Sequence, residues 1–351
     1  MQAGSPIPLA RFAGSPEEIG RQLGVRYRAS IRQGVEECRA HPPALSKAEV
    51  RAHLAEADRL LRRDFPKVYA ETVATAQAAG VPLDAYLLTL YEELWDRSKS
   101  AAAAGQDASR GCTDVVARRS ATLTGELLVG HNNDMTAAPW EPVLLQFYPQ
   151  DGVPFTTWSI DGYALSIVCN RAGMVFTGNE VTADDVRPGI PRLLLMRIVA
   201  ETTSLADAVD VLEYPDRASS YNNIVSDSAG NVIDIEGSAT ESVEIPLRDD
   251  TLVHTNHYLS LKHRAAERPT ESSEYRLRRA TYLLEEGRGQ HTVDTFKSLL
   301  SDHRLGRDGI CRHGQFNTAT KFSMVFQPEQ GLVHYCMGNA CLLPYMTLRY
   351  I

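Results

Sequence analysis

The sequence predicts an α+β fold, in which a helical N-terminal segment precedes antiparallel sheets with helices grouped between runs of strands. Three observations carry this reading. The apolar period changes from helical to strand-like close to Cys112. Beyond that point the order is strands, two helices, strands, two helices, strands, which is the segregated pattern of a layered domain. No GxGxxG follows any strand, so the alternating dinucleotide-binding architecture lacks its fingerprint.

Taken in order, Ser15 followed by Pro16 and Glu18 supplies an N-cap, a proline at N1 and a glutamate at N3, and opens a helix through IGRQLGVRYRASIRQGVEECRA. Ser46 before KAEV opens a second, with helical spacing continuing through LAEADRLLRRDFPKVYAETVATAQAAG. Gly80 and Pro82 punctuate before LDAYLLTLYEELWD. The stretch SKSAAAAGQDASRG (98–111) has no periodic apolar residues and reads as a linker. Strand-like segments follow: CTDVVARR, ELLVGHNND, VLLQFYP and FTTWSIDG, then a hairpin, SIVCNRAG with MVFTGNEV, turning at Ala172-Gly173. The helices PRLLLMRIVAET and SLADAVDVLEY separate these from NNIVSDSAG, NVIDIEGSA, ESVEIPL and TLVHTNHY. The helices SSEYRLRRATYLLEE and TVDTFKSLLSDH precede a final pair of strands, KFSMVFQP and GLVHYCMG. The expected organisation is therefore a helical segment over 1–111 and a β segment over 112–351, forming one compact unit.

The composition narrows the function. The chain has 351 residues, 43% hydrophobic and 23% charged, with a net charge of −8 and no block of five or more like charges. A nucleic-acid partner would need a concentrated basic face, and none is visible. No apolar run has the length of a membrane span, and the N-terminus lacks the apolar core of a signal peptide. The six cysteines have no framework spacing, so reduced thiols and a cytoplasmic location are expected. Five of them read as core or neutral.

Cys112 is different because of where it stands. It follows Gly111 at the junction of linker and first strand. Cleavage between the two would leave a thiol and a free α-amine on one residue. The amine, with a pKa of about 7.7–8.0, suits a base near neutral pH, and an ionised thiol is a strong nucleophile. The cut itself requires the thiol to attack the Gly111 carbonyl, which a residue without a Cβ accommodates.

GCTDV, followed by GHNND at 130–134 and VHTNHY at 253–258, resembles the acyl-coenzyme A:6-aminopenicillanic acid acyltransferase family, whose members resemble the choloylglycine hydrolases. The resemblance implies a four-layer αββα Ntn-hydrolase sandwich and an autoprocessing amidohydrolase or acyltransferase working through a Cys112 thioester. It implies that Cys112 is the nucleophile and that Asp134 orients the freed amine. It also implies that Asn256 donates to the oxyanion, with Asn179 as a second asparagine near it. Arg276, with Arg279 competing for the alignment, matches the arginine after the SS-type motif, and Thr113, His131 and Arg276 fall at substrate-contacting positions. The chain departs from the fungal members at Asp114 and at Phe316-Asn317, and from the choloylglycine relatives at His131. The implied partners are a small-molecule amide or an acyl donor such as acyl-CoA, and the α and β fragments of one precursor, with homo-oligomerisation left open.

No cofactor and no metal are expected. His254 and His257 lie three apart, and on a strand they would point to opposite faces. Two other readings stand beside the first: an uncleaved thiol hydrolase using His254 as base, and a non-catalytic binding protein of the same fold.

Overall fold

The computed structural model describes residues 9–95, 111–136, 142–159, 162–266, 269–304, 309–314 and 317–350. The expected linker, apart from Gly111, lies outside them, as does Phe316.

The N-terminal segment is helical, with one addition and two breaks. A strand missed by the sequence reading, β1 (Leu9–Gly14), comes first, and its alternation buries Ala10 and Phe12. Then α1 (Pro16–Arg26) starts with the expected capping box: Ser15 Oγ accepts from the Glu18 N–H at 3.3 Å, and the Glu18 carboxylate accepts from the Ser15 N–H at 2.8 Å. The single long helix expected here breaks at Tyr27 into α1 and α2 (Arg28–Ala40). The next breaks at Phe65, into α3 (Lys47–Asp64) and α4 (Pro66–Ala79), because a residue before proline is pushed out of the helical region. A short helix, α5 (Leu83–Thr89), follows. Helices α1 and α4 pack backbone to backbone: a Cβ at Gly20 would lie 2.2 Å from the Glu71 carbonyl oxygen, so only glycine permits the contact.

From Gly111 onward the strands are β2 (Gly111–Ala117), β3 (Leu128–Thr136), β4 (Val143–Pro149), β5 (Phe155–Ser159), β6 (Ile167–Asn170) and β7 (Val175–Asn179). After α6 (Arg192–Val199) and α7 (Leu205–Leu212) come β8 (Asn222–Ser226), β9 (Val232–Gly237), β10 (Ser242–Glu244) and β11 (Thr251–His254). Helices α8 (Glu271–Glu286) and α9 (Val293–Leu300) precede β12 (Thr318–Gln327), β13 (Leu332–Cys336) and β14 (Met346–Arg349). The last of these turns the expected final pair of strands into three.

Among the described residues the strands form two sheets, ordered β1-β4-β5-β6-β7-β8-β9-β10 and β11-β2-β3-β12-β13-β14. Their inner faces meet in a core that includes Val116, Val129, Met324 and Phe326 from one sheet and Trp158, Ile167, Val175 and Ile224 from the other. The outer face of the first sheet is covered by α1, α6 and α7 through Ile19, Leu23, Met196 and Leu212. That of the second is covered by α8 and α9 through Ala280, Leu284, Phe296 and Leu300. The layers are therefore helix, sheet, sheet, helix, as expected. Strand β1 pairs in parallel with β4, so the N-terminal segment is part of a sheet as well as a cover for it.

Candidate active site

The site is built where β2 begins. Strand alternation turns Cys112 and Asp114 to the inter-sheet face shared with Val116, and turns Thr113 and Val115 to the helix face. Antiparallel pairing puts Asn133 opposite Cys112 and His131 opposite Asp114, on that same inner face. Cys112 Sγ and Asn133 Nδ2 are 3.8 Å apart. Cys112, Asn133 and Asp134 line a cavity of about 100 Å3, whose wall includes the apolar side chains of Leu165, Ile167 and Met196.

The Gly111–Cys112 junction is gripped from the helix side. The Cys112 N–H donates to Asn256 Oδ1 at 2.8 Å. Arg276, buried on α8, donates to the Cys112 carbonyl, to Thr113 Oγ1 at 2.9 Å and to Asn256 Oδ1 at 2.8 Å. Asn256 is fixed in turn: its N–H donates to Ser273 Oγ at 2.9 Å and its side-chain amide to the Glu180 carbonyl at 3.1 Å. The Asn256 amide therefore points at Glu180, and its oxygen at the backbone of the cysteine. It stands just past the end of β11 at His254, not within a strand. Arg279 is held by Asp302 at 2.7 Å, so of the two competing arginines it is Arg276 that reaches Cys112. A Cβ on Gly111 would meet Arg276 Nη2 at 3.1 Å, Arg312 Nη1 at 3.3 Å and Asn256 Oδ1 at 3.4 Å. Glycine lets two guanidinium groups crowd this one peptide.

Asp134 pairs in register with Gly111 and accepts from Thr320 Oγ1 at 2.7 Å. Its other oxygen is buried without a hydrogen bond among the described residues. Burial pushes the carboxyl up from its usual range, against the pull of Arg312 and Arg276 and of the Thr320 bond. Asn179 ends β7, its oxygen accepting from Asn222 Nδ2 at 3.3 Å. Its own Nδ2 is buried with no hydrogen-bond partner among the described residues.

His131 does not line the cavity. It is wholly buried, with Nδ1 2.9 Å from Asp114 Oδ2. Burial alone would lower its pKa, but the Asp114 carboxylate and the neighbouring Cys112 thiol outweigh it and raise the imidazole to about 10. His254 has both nitrogens engaged, Nε2 with Glu236 Oε1 at 2.8 Å and Nδ1 with the Thr255 carbonyl at 2.7 Å. It has no free nitrogen to serve Cys112. His257 turns to Ser273 Oγ at 2.7 Å, with Thr255 Oγ1 at 3.4 Å.

Three residues of the site escaped the sequence reading. Asn133 was accessible to it, because period-two alternation from Cys112 and the GHNND strand puts it on the same face. Arg312 and Thr320 lie far along the chain, where no periodicity singles them out.

Two facing sheets thus lie between helical layers, with a cysteine at the head of a central strand beside the cavity. The chain belongs to the acyl-coenzyme A:6-aminopenicillanic acid acyl-transferase family, whose model matches residues 122–341, more than half its length. It is accordingly an amide hydrolase or acyltransferase. The matched span contains Asp134, Asn179, Asn256 and Arg276 and begins after Cys112. Among solved structures the chain is similar to conjugated bile acid hydrolase from Clostridium perfringens, at 13% identity and a TM-score of 0.48, covering 68% of this chain and 97% of that one. It is also similar to penicillin V acylase from Agrobacterium tumefaciens, at 12% identity and a TM-score of 0.38, covering 70% and 80%. No curated protein matches the sequence. No helix among the described residues is long and apolar enough to cross a membrane.

Proposed function

We propose that the chain is a precursor that cuts itself between Gly111 and Cys112 and then acts, through Cys112, on a small-molecule amide. The observation that carries this is the grip on a single peptide: Asn256 and Arg276 bind the two backbone polar groups of Cys112, and its thiol lies on the cavity. In the cut, Sγ bonds to the Gly111 carbonyl carbon, the C–N bond breaks, and the nitrogen takes the thiol proton. Water then hydrolyses the thioester, leaving residues 1–111 with a new carboxylate and Cys112 with a free amine. Asn256 Oδ1 already accepts from that nitrogen and would keep the amine in place, with Asp134 nearby across the β2–β3 pair.

In turnover the amine takes the thiol proton, Sγ attacks the substrate carbonyl, and the oxyanion needs donors. We assign this role first to Asn133, whose Nδ2 lies 3.8 Å from the sulfur, and then to Asn179, supported by its unpartnered buried Nδ2, with Asn256 joining if its amide leaves Glu180. The lining is mixed: Leu165, Ile167 and Met196 suit an apolar part of the acyl group, and Arg192, Asn222 and Asn223 suit a polar part of the substrate. Whether water or a second amine takes the acyl group depends on how well the pocket excludes water. Thr113 is committed to Arg276 and His131 is buried, so both support the nucleophile and neither is offered to substrate.

One observation supports a second reading, an uncleaved thiol enzyme in which the buried His131–Asp114 pair, not His254, assists Cys112. Family membership sets the binding-protein reading aside.

The test is replacement of Cys112. Cys112→Ala is expected to stay uncut and to show no turnover of N-acyl amides. Cys112→Ser is expected to slow both steps, since a hydroxyl ionises far less readily. In wild type, quenched turnover should leave the acyl group on the peptide that begins with Cys112. An active Cys112→Ala enzyme would remove the thioester from the account.

A further inference from the structure

Away from the cavity, the chain returns twice to one spot with sulfur and nitrogen donors. Cys311 and His313 flank Arg312, and Cys341 comes from the loop between β13 and β14. Cys311 Sγ lies 3.7 Å from Cys341 Sγ and 3.7 Å from His313 Nε2, and Cys341 Sγ lies 3.2 Å from that same nitrogen. Zinc–sulfur bonds of about 2.3 Å and zinc–nitrogen bonds of about 2.0–2.1 Å, at tetrahedral angles, separate two sulfurs by about 3.8 Å and a sulfur from a nitrogen by about 3.5 Å. The three distances thus trace one face of a zinc-sized tetrahedron. They do not describe a disulfide, whose sulfurs stand about 2.05 Å apart.

The surroundings fit a metal-bound state. Asn339 Nδ2 donates to Cys311 Sγ at 3.5 Å, the kind of outer contact that steadies a thiolate ligand. The Cys336 thiol turns instead to the Leu343 carbonyl at 3.5 Å and holds the same loop. His303 donates its Nδ1–H to the Ser301 carbonyl at 2.9 Å, so its Nε2 carries a lone pair, and its ring centre is 5.6 Å from that of His313.

We propose that Cys311, His313 and Cys341 bind a thiophilic divalent ion of the zinc class. On binding, the two thiols release their protons to solvent as two metal–sulfur bonds form, and neutral His313 gives its Nε2 lone pair. Two thiolates balance the charge of the ion, and the fourth position falls to water or to His303. Sulfur with imidazole selects zinc over magnesium or calcium, which prefer oxygen. The ion would tie the C-terminal loop to the segment bearing Arg312, whose N–H donates to Thr320 Oγ1 at 2.9 Å, the same hydroxyl that donates to Asp134. The proposal does not depend on cleavage at Cys112.

The test uses the full chain, stripped with a chelator under reducing conditions and reloaded with zinc or cobalt alone. Wild type is expected to bind one ion per chain, to lose two titratable thiols on loading, and to show with cobalt a thiolate charge-transfer band and intense tetrahedral visible bands. His313→Ala and Cys341→Ser, at positions that are not fully buried, should each lose the sulfur-rich spectrum and bind far more weakly, while Cys38→Ser keeps both. Wild type that takes up no ion, a 311–341 disulfide in the reduced preparation, or a Cys341→Ser variant with unchanged stoichiometry and spectrum would each overturn the site.

Discussion

In the proposed reaction one side chain and one backbone nitrogen of Cys112 serve as nucleophile and base, and the residues around them divide that work. Asn256 accepts from the nitrogen while Arg276 holds the carbonyl, so backbone and thiol are fixed relative to each other before any bond breaks. Replacing Asn256 by alanine removes the acceptor and leaves the guanidinium one partner short. Asn256→Ala is expected to cut slowly and, once cut, to lose kcat by about 10²–10³-fold, the scale of a lost oxyanion donor or positioning group. Pre-steady-state kinetics on the cut fraction would check this, and unchanged kcat would free Asn256 from both roles. The sequence made Cys112, Asn256 and Arg276 legible through short motifs, but not their directions. That the Asn256 amide faces Glu180 follows from a turn just beyond β11, which no periodicity encodes. Arg312 was illegible for a similar reason, since its approach to Gly111 arises from chain packing across some two hundred positions.

At the level of the strands, two departures from the relatives become one feature. Asp114 on β2 and His131 on β3 are paired in register, face the same side and form a buried pair at 2.9 Å. A sequence lists them as separate differences, whereas the antiparallel ladder makes each the partner of the other. The groups facing the imidazole are Asp114 and Cys112, with Asp134 further off, and they hold its pKa up to about 10. A histidine raised above its unfolded value of about 6.5 contributes stability that is complete below that pH and is lost as pH rises towards 10. Wild-type stability in urea should therefore fall between about pH 6.5 and 10 by more than that of His131→Asn. The variant should itself be weaker at neutral pH by about 3–5 kcal/mol, because it leaves Asp114 buried without its charge partner. Parallel pH profiles for the two proteins would contradict the pairing. Strand positions from β2 onward were readable in outline from alternation and turns. The short edge strands β1 and β14 were not, since their place is set by partners distant in the chain, β4 and β13.

Across the whole molecule, the N-terminal segment that the proposed cut would sever is also a structural layer. β1 adds a strand to the larger sheet, and α1 covers that sheet's outer face. The division at Gly111 is thus a division of the chain and not of the fold, and the two pieces should stay associated after cleavage. The layered class was legible from the grouping of strands and helices, because segregated elements leave few ways to bury their apolar faces. Intact mass of freshly purified protein, taken under denaturing conditions, tests the central claim most directly. The account predicts two species whose masses match residues 1–111 and 112–351, from a sample that migrates as one particle under native conditions. A single full-length mass that persists on incubation while the enzyme turns over an amide would contradict it, and would assign catalysis to an uncut Cys112 assisted by His131.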